Sequence, residues 1–286
     1  MGSRTTEGCR LKTSTVFPMR AITLGFHDIA PEGTTAKPIA AAHTTVYTIP
    51  QREFRRHLEE VHRASGSDGA ARVSRSEMSR PGRRVFLTFD DGPISAYTCA
   101  GPGLASICWP GHFFIVTDWI GQPGFLDRNQ IRALHAQGHV IGSHSSSHPE
   151  RMSSLPWSRL LREWSESALM LGDIVGEPVR IASVPGGYYS DDVARAAATA
   201  GIEILFTSEP TTRTVSVDGC LILGRYAIRR STRAEVSGSI ASGSCWPLNR
   251  EKLLWLVKEA TKGIVGPWYP SLRRRMLAEH TGAEHR

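Results

Sequence analysis

Short runs of apolar and β-branched residues alternate with longer stretches of helical periodicity along most of this chain. The short runs cover residues 21–26, 85–89, 113–117, 140–143, 180–184, 203–207 and 221–228. Runs of this length bounded by glycine, proline or charge read as buried strands. Between them, residues 51–63, 128–137, 157–175, 191–200 and 251–262 carry helical spacing. In the longest of these, Leu160, Leu161, Trp164, Ala168 and Leu171 form one apolar stripe, and Gly176 and Pro178 stop the helix. Strand–helix alternation predicts an α/β fold with a parallel sheet and crossover helices. Residues 64–84 and 211–219 read as polar surface connections. The Ser- and Gly-rich stretch 232–247 is expected to divide the α/β region from a C-terminal helical tail. The expected organisation is a polar segment over 1–20, an α/β domain over 21–231, and a linker with a helical extension over 232–286.

Composition narrows the class. A chain of 286 residues with 40% hydrophobic content can bury a large core. No stretch has the apolar length to cross a bilayer. The five cysteines form no C-x-x-C pair and, being odd in number, suggest neither a zinc ribbon nor a disulfide framework. Residues 1–12 are polar and lack an apolar signal core. Together these lead to the expectation of a cytoplasmic protein with reduced thiols. The formal net charge of +7 is spread along the chain, without the basic–aromatic interleaving of a nucleic-acid groove. No nucleic-acid partner is expected; a basic surface suits an anionic small molecule. Trp268, Tyr269 and the arginines Arg273 to Arg275 raise peripheral membrane contact, with a helix closing the bottom of the α/β domain as the commoner reading of such a segment.

Candidate chemistry sits where strands stop. The run Val85-Phe86-Leu87-Thr88-Phe89 ends in Asp90 and Asp91, followed by Gly92 and Pro93. Adjacent strand side chains point to opposite sides, so one acid can bind a metal while the other takes a proton. Another strand-like run, through Gly142, is followed by His144-Ser145-Ser146-Ser147-His148. Four-residue spacing puts both imidazoles on one face of a turn, and Pro149 argues against a long helix there. An aspartate and two histidines are a sensible ligand set for Zn²⁺ or another divalent transition metal, with positions left open for water and substrate.

At these residues the chain resembles the polysaccharide deacetylase family of metal-dependent carbohydrate esterases. Its T-F-D-D-G motif is Thr88 to Gly92 here, its H-[ST]-x-x-H motif is His144 to His148, and its R-x-P-x-G motif is partly matched by Ser183 to Gly187. The resemblance runs from about residue 21 to 228. It implies a distorted, incomplete (β/α) barrel of about seven strands, and a hydrolase that removes an N-acetyl group from an amino sugar by zinc-activated water. Carried over residue by residue, it makes Asp91, His144 and His148 the metal ligands and Asp90 the general base. Pro185, Gly186 and Gly187 would line the groove, with the Gly186 amide holding the oxyanion; Tyr188 or Tyr189 beside them is the candidate for stacking on a sugar, with a place in the core as the other reading of either.

The chain departs from that pattern twice. Ser183 stands where the family has an arginine that pairs with the base, and Arg225 is the candidate substitute. The family's later histidine, the usual general acid, is absent, and His27 at the end of the first strand is the candidate replacement. An amidase or imidase on a non-sugar substrate, a catalytically impaired binding protein of the same fold, and an iron oxygenase using the same triad are the rival readings.

Overall fold

The computed structural model describes residues 19–33, 46–66 and 69–265. Strands β1 (Met19–Phe26), β2 (Asp28–Ala30) and β3 (Thr48–Pro50) precede helix α1 (Gln51–Ser65), and a short α2 (Arg75–Met78) leads into β4 (Gly82–Phe89). A π-helical turn at Ala96–Ala100 runs into α3 (Gly101–Ala105). Next come β5 (His112–Ile115), α4 (Arg128–Ala136), β6 (Val140–Ser143), α5 (Trp157–Val175), β7 (Ile181–Ser183), α6 (Asp191–Thr199) and β8 (Ile204–Phe206). Strands β9 (Thr214–Val217), β10 (Cys220–Leu223) and β11 (Tyr226–Ala227) are followed by α7 (Ala234–Ala241) and α8 (Cys245–Val265).

Nine strands form the main sheet in the order β11-β1-β4-β5-β6-β7-β8-β10-β9, parallel throughout except for the β9–β10 pair. All seven strand-like runs of the sequence lie in it, as the incomplete barrel requires. The run at 221–228 differs from expectation in that it divides. Its first half, in β10, pairs with β8, and its second half, β11, pairs with β1 at the other end of the sheet. One stretch of chain thus runs from β10, next to the β9 edge, to β11 at the opposite edge of the curled sheet. Gly224 sits at the crossing, where an added Cβ would collide with the Glu209 carbonyl and with Thr211. Only glycine lets the backbone pass there.

Local sequence explains the helices. The Asp127 carboxylate accepts the Gln130 amide and the Gln130 side chain answers the Asp127 amide, a complete capping box that starts α4. Gly176 ends α5 in the left-handed conformation. The α5 stripe buries Leu160, Trp164, Leu171 and Ile174, but also Glu163 and Ser167, which sequence reading had not marked. Phe89, the last residue of β4, stacks between Phe26 (5.4 Å between centroids) and Phe113 (4.8 Å). Each such ring contributes roughly 1.5–3 kcal/mol by leaving water, and this one anchors the residue next to Asp90.

Three expectations change. Residues 211–219 are not wholly loop: they carry β9, an edge strand whose Ser216 and Val215 face outward. Residues 232–247 do not simply divide two parts, because α7 packs against α1, with Gly238 close to the Glu60 carbonyl. The final helix starts at Cys245 rather than near 251. The polar segment 1–18 and the Trp268-to-Arg275 stretch lie outside the described residues. No described helix is long and apolar enough to cross a membrane.

Two histidines at the strand N-terminal side tie stability to pH. The His112 Nδ1–H donates to the Leu87 carbonyl (2.9 Å) and its Nε2 accepts the Val73 amide (2.9 Å), a pair of bonds that needs the neutral ring. His139 accepts the Gly111 amide at Nδ1 (3.1 Å). Burial pushes both rings from an ordinary 6.5 down to about 4. Between those values the unfolded chain binds more protons, so this contribution is complete above pH 6.5 and falls as pH drops toward 4. Urea unfolding at pH 5 should show a loss relative to pH 7.5 of up to about 2 kcal/mol per histidine. His112→Gln should flatten the dependence, and an equal loss in that variant would count against the assignment.

Candidate active site

The site forms at the C-terminal ends of β1, β4, β6 and β7 and at the β10–β11 crossing. The Asp90 amide donates to the Phe26 carbonyl (3.0 Å), and the His144 amide to the Ile115 carbonyl (2.9 Å), so both motifs are held by sheet-like bonds. Asp91, Ser145 and His148 have φ of 73°, 66° and 53°, three of the five non-glycine positive-φ residues described. Each costs about 1–2 kcal/mol relative to ordinary backbone, and surrounding bonds hold the distortion. Ser145 donates its amide to the Ser143 hydroxyl (3.1 Å) and accepts the His148 amide on its own hydroxyl (3.1 Å).

The structure brings Asp91, His144 and His148 together, with one donor atom from each within 4.8 Å of the others. Asp91 Oδ1 lies 3.2 Å from His144 Nε2 and 3.4 Å from His148 Nε2. Those separations match the edge of a tetrahedron built on metal–ligand bonds of about 2.0–2.1 Å. His144 Nδ1–H donates to the Ser183 carbonyl (2.9 Å), which turns Nε2 toward Asp91. Burial would lower the His144 ring, but Asp90 and Asp91 outweigh it and hold it above its ordinary 6.5, whereas burial holds His148 down to about 4 despite Asp91. The donor set fits a divalent metal.

Asp90 is buried beside this set and engaged elsewhere. Arg225 Nη1 donates to its Oδ1 at 2.6 Å, and the Ser183 hydroxyl donates to the same oxygen at 3.2 Å. Arg225 Nε donates to the Thr207 carbonyl (3.1 Å), fixing the guanidinium. His27 Nε2 lies 3.9 Å from Asp90 Oδ2, and the His27 ring rests against Tyr47, with centroids 4.6 Å apart. Burial alone would raise the Asp90 carboxyl, but Arg225, His144 and His27 outweigh it and hold it below its ordinary value. His27 and Arg225 both converge on Asp90, from the first strand and the sheet closure.

The Pro185–Gly187 turn follows β7, with Gly186 exposed at φ 61°. A side chain there would be strained, while the bare backbone can approach a ligand closely. Tyr188 is half-buried beside it.

Two residues of the site escaped the sequence. Glu163 of α5 accepts the Ser147 amide (2.8 Å) and hydroxyl (2.7 Å) together with Arg159 Nε (3.0 Å). Burial would raise its carboxyl, but these donors bring it below its ordinary value, so a charged acceptor braces the histidine loop from behind. Trp119, in a 3₁₀ turn after β5, stacks on the His148 ring with centroids 5.1 Å apart. The only sequence signal for Glu163 was a lone acid on an otherwise apolar stripe. Trp119 had none.

Comparison with known proteins agrees with this geometry. Residues 77–205 match the polysaccharide deacetylase family, a span that holds Asp90, Asp91, His144, His148 and Gly186 but neither His27 nor Arg225. A chitooligosaccharide deacetylase of Sinorhizobium fredii is 34% identical over 133 residues, 46% of this chain and 58% of that protein. The matched region spans about three fifths of the length of the curated relatives. The fold is shared with the Streptococcus pyogenes deacetylase PplD in complex with acetate, at a TM-score of 0.60 and 20% identity over 78% of this chain and 96% of that one. It is shared as well with IcaB from Ammonifex degensii, at 0.61 and 21% over 78% and 97%. Through residues 77–205 the chain is similar to polysaccharide deacetylases, and it shares their fold.

Proposed function

We propose that the protein is a metal-dependent hydrolase that removes an N-acetyl group from an amino sugar or a sugar-containing metabolite. The observation that carries this reading is the division of labour between neighbouring aspartates. Asp91 joins two histidines in a ligand set, while Asp90, one residue away, is held out of it by Arg225 and Ser183. Asp91, His144 and His148 would hold the metal, with zinc our choice. When bound, it supplies Lewis acidity and makes water a nucleophile near neutral pH.

The remaining steps belong to this chain's own residues. Asp90, kept ionised by Arg225, takes the proton of the attacking water. The Gly186 amide donates to the developing oxyanion. His27, beside Asp90 and partly open to solvent, returns a proton to the leaving amine. An intact, charge-paired base favours this over a binding protein that has lost turnover. The four described cysteines are free thiols, in keeping with a cytoplasmic setting and an intracellular glycan or glycosylated metabolite. Mass spectrometry of acetate release across N-acetylated sugars, nucleotide sugars and glycolipids tests the reading. Release from at least one sugar, abolished by EDTA and restored by Zn²⁺, is the expected result. Release only from non-sugar amides would move the assignment to an amidase.

A further inference from the structure

Arg151 lies beside this site and has no part in the chemistry described so far. It follows His148 by three residues, and its guanidinium carbon sits 5.1 Å over the centre of the Tyr188 ring. Its backbone is pinned, since the Arg151 carbonyl accepts both the amide (3.1 Å) and the hydroxyl (2.8 Å) of Ser154. The same segment touches the candidate oxyanion turn: a Cβ placed on Gly186 would lie 3.4 Å from both the Glu150 carbonyl and the Tyr188 ring. Arg151 therefore stands next to the backbone that would face the acetyl group.

One of its donors has no acceptor among the described residues. Arg151 Nε is buried without a hydrogen-bond acceptor, the one guanidinium nitrogen in that condition among the described residues. The neighbouring arginines contrast with it. Arg225 is shared between Asp90 and the Thr207 carbonyl, and Arg159 lies on Glu163. A buried donor without an acceptor is unfavourable unless a ligand supplies one. A planar cation whose face rests on an aromatic ring still presents its edge, the geometry that takes carboxylate or phosphate oxygens in pairs.

We propose that Arg151 binds an anionic group on the substrate, so that the preferred substrate is an N-acetyl amino sugar bearing a carboxylate or phosphate near its acetamido group. This rests on the deacetylase reading above and narrows it to a substrate class. The net charge of +7 would further draw such an anion toward the protein.

The test compares kcat/KM for acetate release from neutral N-acetylglucosamine, N-acetylglucosamine 1-phosphate and 3-O-carboxymethyl-N-acetylglucosamine, whose anionic groups sit on the carbons flanking the acetamido-bearing one. The native protein should favour at least one anionic sugar by about tenfold or more, the worth of one charge-assisted hydrogen bond. Which anion wins identifies the group. Arg151→Leu should lower kcat/KM on the preferred anionic sugar about tenfold more than on the neutral one, and Arg151→Lys should recover part of the difference. A native preference for the neutral sugar, or an equal loss on all three in Arg151→Leu, overturns the proposal. If no sugar releases acetate, the deacetylase reading itself fails. Calorimetric binding of the same three sugars to Asp90→Asn protein, with and without Arg151→Leu, then decides. An Arg151-dependent preference for the anions sustains the proposal, and its absence ends it.

Discussion

Asp91→Ala protein should retain no divalent metal and release acetate only at background, whereas Asp90→Asn should keep its metal and lose about 10²–10⁴ in rate. The contrast follows from the different partners of two adjacent acids. Asp91 Oδ1 is the atom that both histidine Nε2 atoms approach, so its removal leaves two imidazoles and no carboxylate to balance a dication. Asp90 is turned to Arg225 and Ser183 instead, and its amide analogue keeps the shape while losing the basicity. Metal content by inductively coupled plasma mass spectrometry and acetate release would be measured on the same samples. Full metal occupancy in an Asp91→Ala/His148→Ala double variant would refute the ligand assignment. Near-normal turnover of Asp90→Asn would require another base.

The parts of this site that the sequence revealed are those encoded over short distances. Two acids at the end of an apolar run, and two histidines four apart after another, identify themselves through residue type and spacing. The pairing of Arg225 with Asp90 spans 135 residues, and it was legible only because 221–228 looked like a strand and the resemblance left a positive charge missing. What the run could not reveal is that its halves join opposite ends of the sheet, β10 beside the edge strand β9 and β11 at the far edge. An apolar stretch reads as one strand, and the break at Gly224 shows its meaning only when Glu209 and Thr211 crowd it. Glu163 was hidden for a related reason: helical periodicity marks the buried face, and an acid there looks like an interruption until Ser147 and Arg159 surround it. The small residues of α7 read as linker because they carry little hydrophobic signal, yet small size is what allows α7 to approach α1.

Arg225→Met should produce a linked change in stability and pH profile that no other substitution of this site would give. Asp90 and Arg225 are both buried, at 3% and 5% side-chain exposure, and 2.6 Å apart. Removing the cation leaves a buried carboxylate with the Ser183 hydroxyl as its remaining close donor, a loss of about 3–5 kcal/mol for one partner of a buried pair. In the native chain the folded pKa of Asp90 lies below its ordinary 3.8. Its stabilisation is therefore present above that value and is lost as pH falls through the depressed one. Without Arg225 the desolvation that the cation had outweighed should raise the carboxyl above 3.8. The sign then reverses, and the variant should lose stability as pH rises. Activity should respond in the opposite sense, because the base works only when ionised: it should rise with pH, and the acid limb of kcat/KM should shift to higher pH. The decisive measurement is the stability cycle with Asp90→Asn. Neutralising the stranded acid should recover part of the loss, making Asp90→Asn/Arg225→Met more stable than Arg225→Met alone. Simple additivity of the two changes would mean that the pair is not coupled as its geometry requires.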